Sequence, residues 1–150
     1  MQVEQTFTVH QPLDRVWQFF VGDVERVTRC VPGIEDFEDL GEDRYRVRFA
    51  QRLGHIGATF DLKAQLERQE ATRSLKFSAA GRSVKGAAGD LRSLSQLHLE
   101  AESSGDTRCT VTSDITLSGM LASLGHRMVL AKAREVTDDF VRNVTAEMEQ

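Results

Sequence analysis

Ile56-Gly57-Ala58-Thr59-Phe60-Asp61-Leu62-Lys63-Ala64-Gln65-Leu66 decides the fold class. Ile56, Ala58, Phe60, Leu62, Ala64 and Leu66 alternate with Gly57, Thr59, Asp61, Lys63 and Gln65. A period of two with one apolar side predicts a strand in an antiparallel sheet that is packed on one face and wet on the other. The same period extends outward from this stretch. Tyr45, Val47 and Phe49 share a face within Arg44 to Leu53. Leu75, Phe77 and Ala79 mark a further strand, and Leu91 to Leu99 another. Cys109, Val111, Ser113, Ile115 and Leu117 mark the last. Turn residues fall between these runs at Gly41-Glu42-Asp43, Gly54-His55, Glu70-Ala71-Thr72 and Ser104-Gly105-Asp106. Ile34 to Leu117 therefore reads as about six short-linked strands in an antiparallel meander.

Helical patterns flank the meander. Gln2 to His10 reads as a first strand, with Val3, Gln5, Phe7 and Val9 on one side. Pro12 and Asp14 then suit the opening turn of a helix whose apolar face is Val16, Phe19 and Phe20, with Trp17 beside them. Gly22-Asp23 breaks it, Val24 to Cys30 forms a second short helix, and Pro32-Gly33 stops that one. After the sheet, Ser118 is a suitable N-cap for one long helix running to about Glu147. Its apolar stripe shifts: Met120, Leu121, Leu124 and Met128 lie on one sector, and Val129, Ala133, Val136, Phe140 and Val144 lie further round. This predicts a helix that packs on the sheet at its C-terminal half and closes a cavity, or meets a partner, at its N-terminal half. The expectation is one α+β domain spanning residues 1–150, in a helix-grip arrangement. A curved antiparallel sheet of about seven strands wraps a long C-terminal helix, with two short helices after the first strand.

Composition narrows the function. The 150 residues are 40% hydrophobic and 28% charged, ordinary for one globular domain. The net charge is −4 with no basic block, which argues against nucleic-acid binding. No run approaches the roughly 18 apolar residues of a membrane span, and Met1 to Gln5 has no signal-peptide pattern. Cys30 and Cys109 are then expected as reduced thiols in a cytoplasmic protein.

Catalytic groupings are hard to find. His10 and His55 fall at a strand end and in a turn, and His98 points outward between Leu97 and Leu99. His126, at the start of the last helix, is the histidine expected nearest the cavity. Cys30 lies at a helix C-terminus, where the dipole disfavours a thiolate. Asp36, Glu38 and Asp39 suit a solvated strand edge better than a metal site, and no Cys-x-x-Cys or His-x-x-x-His occurs. Gly81 to Gly89 lacks the ending of a phosphate loop; it fits a wide hairpin or bulge, or a mobile cavity mouth. No catalytic residue, metal or cofactor is expected.

Several stretches resemble the CoxG family of carbon monoxide dehydrogenase, a branch of the START-like (SRPBCC) superfamily of polyketide cyclases and birch-pollen-allergen-like proteins. They are Val16-Trp17, Asp23, Cys30-Val31-Pro32-Gly33, Leu53 to Phe60, Gly81 with Lys85 to Gly89, Gly105-Asp106-Thr107 and Gly119 to Arg127. The resemblance implies a helix-grip fold with an apolar cavity, and an accessory protein that carries a quinone- or lipid-like molecule for a molybdenum-containing hydroxylase of the carbon monoxide dehydrogenase type. It leaves open a ligand-free assembly or membrane-recruitment module and, less favoured, a cyclase or hydrolase. Family members often extend into a membrane-binding segment. This chain ends at Gln150, so peripheral membrane contact without an anchor is the expectation. Trp17, Phe20, Phe49, Phe60 and Phe77 are the candidate cavity wall, and Leu121, Leu124 and Met128 the candidate lid. The alternative is that these residues simply pack on one another.

Overall fold

Each period-two segment forms a strand, and each strand pairs antiparallel with its neighbours. The computed structural model describes residues 1–149. In chain order it contains β1 (Gln2–Val9), α1 (Leu13–Gly22), α2 (Val24–Thr28), β2 (Ile34–Gly41), β3 (Arg44–Leu53), β4 (Ile56–Gln69), β5 (Ser74–Gly86), β6 (Asp90–Ala101), β7 (Thr107–Leu117) and α3 (His126–Met148). The strands form one sheet in the order β1-β7-β6-β5-β4-β3-β2. The meander runs unbroken from β2 to β7, and β1 adds to the far edge beside β7. The concave face carries the apolar set of every strand and wraps α3. Val9, Tyr45, Val47, Phe60, Leu62, Leu99, Cys109 and Val111 are all buried there.

Helix α1 starts where Pro12 presents its carbonyl to the amides of Arg15 and Val16, at 3.0 and 3.1 Å. Its buried residues are Val16, Trp17 and Phe20, one turn of a single face. Asp23 caps α2 by accepting a hydrogen bond from the Arg26 amide at 3.1 Å. The following Cys30-Val31-Pro32-Gly33 is pinned from two sides. Asn143 of α3 donates to the Cys30 carbonyl at 2.9 Å, and Gln51 of β3 donates to the Pro32 carbonyl at 2.7 Å. Gly33 closes the turn at φ +92°, and a Cβ placed there would sit 2.2 Å from the Ala50 carbonyl oxygen. Only glycine fits that approach.

The long helix begins later than Ser118 predicts. Gly119–Leu124 forms a 3-10 turn, and Gly125, at φ +95° and ψ 148°, separates it from α3. The Ser118 hydroxyl accepts from the Asp90 amide on β6 rather than capping a helix. The stretch that carries the two apolar sectors is thus divided between two elements, with Met120, Leu121 and Leu124 in the 3-10 turn and Met128 with the second sector in α3. Leu121 is buried by the first; Val129, Ala133, Thr137 and Val144 are buried by the second.

The C-terminal half of α3 is tied down. Arg26 pairs with Glu147, Gln11 donates to the Met148 carbonyl at 3.3 Å, and the His10 amide donates to Glu149 at 2.8 Å. Gly33→Ala should lower unfolding free energy by about 2 kcal/mol or more, as read by urea denaturation. Gly57→Ala, whose added methyl meets nothing closer than 3.9 Å, should stay within about 0.5 kcal/mol of the parent.

Candidate functional site

Between the concave face of the sheet and the middle of α3 lies a cavity of about 300 Å³. The strand alternation builds its wall: Val47, Phe49, Phe60, Leu62, Phe77, Ala79, Leu91, Ile115 and Leu117 all project inward. Phe49 lies opposite Phe60 in the β3–β4 register, and their rings stack with centroids 6.5 Å apart. Phe20 of α1, Val24, Val27 and Thr28 of α2, and Val31 beyond it close one end. Leu121, fully buried in the 3-10 turn, closes another part. Val129, Ala133, Val136, Thr137 and Phe140 of α3 form the roof.

The structure places Phe20, Phe49, Phe60, Phe77 and Leu121 on this cavity, and Trp17, Leu124 and Met128 off it. Trp17 is 1% exposed and packs within the core beyond the cavity lining, with the Arg73 guanidinium 5.7 Å from its ring. Leu124 packs against the core at the end of the 3-10 turn. Met128 sits at the start of α3 on the sector turned to solvent, 44% exposed. The Gly125 break is the reason: it rotates the first turn of α3 away from the direction set by Leu121. His126 is likewise exposed and off the cavity.

Size and apolarity alone pass over the polar lining. Ser93 and Ser95 of β6 and Ser113 of β7 occupy inward positions among leucines, valine and isoleucine. The Ser95 and Ser113 hydroxyls are 2.9 Å apart and share a hydrogen bond. Their inward phase is visible in the alternation of Leu91, Ser93, Ser95 and Leu97. Thr28 and Thr137 turn their hydroxyls back to carbonyls of their own helices, at 2.7 and 2.8 Å. Gln51 and Lys132 line both the cavity and an outer cleft that also holds Arg52, Lys85 and Gly86. Lys132 pairs with Glu135 along the helix at 2.9 Å. Among the described residues, the cavity lining contains no histidine and no carboxylate.

Neither thiol suits nucleophilic work. Burial pushes the Cys109 thiol up to about 12. Cys30 is also raised, first by burial and then by the nearby Glu147 carboxylate. Its sulfur leans on the Arg26 carbonyl at 3.4 Å. Among the described residues, no group of three or more histidine, cysteine or acidic side chains is placed to hold a metal ion. Among the described residues, no helix is long and apolar enough to cross a membrane.

A seven-stranded antiparallel sheet gripping a C-terminal helix over an internal cavity defines the START-like helix-grip class. The family profile of CoxG, a carbon monoxide dehydrogenase subunit, matches residues 6–149, and the chain belongs to that family. Solved structures share the fold. A conserved protein from Geobacillus kaustophilus aligns with a TM-score of 0.84 at 18% identity, over 99% of this chain and 95% of that one. A START superfamily protein from Mycobacterium smegmatis gives 0.72 at 14% identity, over 99% and 97%. The Zhui aromatase/cyclase from a Streptomyces species gives 0.69 at 18%, over 99% and 93%. At such identities the likeness establishes the fold alone. No curated protein matches the sequence.

In the folded protein at about pH 8, both cysteines should react with a disulfide reagent far more slowly than a free thiol, because the thiolate is the reactive form. Denaturant should release both. Raising the pH increases the thiolate fraction, so labelling of the native state should quicken only as the solution approaches the raised values.

Proposed function

We propose that this protein binds a hydrophobic molecule, quinone- or lipid-like, in the cavity beneath α3. In this reading it serves as a cytoplasmic accessory carrier for a molybdenum-containing hydroxylase of the carbon monoxide dehydrogenase type. The cavity itself carries the proposal. Its wall is aliphatic and aromatic with a few hydroxyls, the composition of small-molecule sites, and its size falls at the lower end of their range. Without an occupant, apolar space of this order would forfeit several kcal/mol of packing. Net stability is only about 5–15 kcal/mol, so an apolar occupant returns a sizeable share. The lack of an acid–base pair in the lining favours carriage over catalysis. Family membership supports the link to a dehydrogenase.

Native mass spectrometry of protein purified from its own host tests this reading, with an added hydrophobic mass as the expected result. Absence of any such mass, together with no binding of added menaquinone or fatty acid, would overturn it. Ala79→Phe fills the cavity from a strand position. It should weaken binding about tenfold or more while the protein stays folded by circular dichroism.

A second reading, docking on the partner enzyme, is favoured by Met120 and Met128, which are 58% and 44% exposed. Large apolar side chains left in solvent mark contact surfaces. Met120 sits where its amide joins the β5–β6 hairpin through the Ala88 carbonyl at 3.0 Å. If docking is the role, Met120→Asp with Met128→Asp should abolish capture of the dehydrogenase in a pull-down, with the cavity variant Ala79→Phe retaining it. The reverse pattern would favour carriage.

A further inference from the structure

Three hydroxyls stand where the strand alternation otherwise supplies aliphatic groups. Ser93 and Ser95 lie two residues apart on β6 and so face the same side. Ser113 lies directly opposite Ser95 on β7, and Phe77 lies opposite Ser95 on β5. Leu91, Leu97, Val111 and Ile115 surround the group on the cavity wall. A serine hydroxyl has one proton to donate. In the Ser95–Ser113 pair one hydroxyl donates to the other, so one O–H of the two stays free. The Ser93 hydroxyl makes no hydrogen bond to any described residue, which adds a second free O–H. An O–H that faces an apolar cavity gains from any acceptor a ligand brings there.

Resting on the proposed binding role, we infer that the ligand presents a neutral carbonyl oxygen to Ser93, Ser95 and Ser113. The carbonyl belongs to a ketone, quinone or ester, and the apolar remainder lies against the phenylalanines. The chemistry selects this class. A carbonyl oxygen has two lone pairs, enough to receive both free O–H groups, and brings no donor of its own. A carboxylate would remain an uncompensated charge, because no cation lines this wall. Lys132, the one lysine lining the cavity among the described residues, lies on α3, beside the cleft it shares with Gln51 of β3, and already pairs with Glu135.

The test uses the full chain and three probes: a long-chain methyl ketone, the alkane of equal length and the matching fatty-acid carboxylate. Affinity is read by displacement of Nile red. The double variant Ser95→Ala with Ser113→Ala should weaken the ketone about five- to tenfold and leave the alkane unchanged. Ser93→Ala should act in the same direction, and Ser95→Thr, which keeps the hydroxyl, should retain ketone affinity. The carbonyl stretch of the bound ketone should lie at lower wavenumber in the parent than in the double variant. Equal losses for ketone and alkane, or no loss for either, would overturn the inference and leave cavity binding standing. So would a preference for the carboxylate that disappears in Lys132→Ala instead of the serine variants. If no probe enters, by dye displacement or native mass spectrometry, cavity binding itself fails and the inference falls with it.

Discussion

The C-terminal end of helix α3 ties the helices and the sheet together, and the cavity lies under the stretch of helix that precedes it. The last turns of α3 are held by the Asn143 hydrogen bond to Cys30, the Arg26–Glu147 pair and the fully buried Val144. Nearer its start, Gly125 breaks the chain direction, and the first turn leaves Met128 in solvent. Val129, Ala133, Val136 and Phe140 bridge a gap that the curved sheet does not fill.

The family signature serves that anchoring. Cys30 and Pro32 offer their carbonyls to α3 and β3, respectively, and Gly33 lets the chain pass against Ala50. Buried carbonyls need such partners, so the turn joins α2, the sheet edge and the final helix into one frame. Trp17 braces α1 from outside the cavity. These residues act on the ligand space only by holding its borders.

The cavity's chemistry is divided by position. The β6–β7 wall supplies hydroxyls, the β3–β4 wall stacked phenylalanines, and the outer rim cationic side chains. Each follows from the two-residue period of a strand, which sends alternate side chains to one surface. The buried thiols lie outside this division, because burial holds them in the protonated, unreactive form.

Sequence by itself determined the succession of strands, the face each strand buries and the two short helices, because a period of two or 3.6 is a local property of the chain. It also placed Phe20, Phe49, Phe60, Phe77 and Leu121 on inward-facing positions. It misplaced Trp17, Leu124 and Met128 because an apolar residue reads alike whether it fills the core, lines a cavity or meets solvent. Ser93, Ser95 and Ser113 were visible as inward positions, but nothing local gave them weight. Only the tertiary structure decided these matters. The positive φ of Gly125 sets the angle between the 3-10 turn and α3, and contacts distant in sequence, such as Cys30 with Asn143, decide where the helix stands off the sheet. A cavity is the space left after those long-range contacts are made, so its lining belongs to the assembled fold and to no single segment.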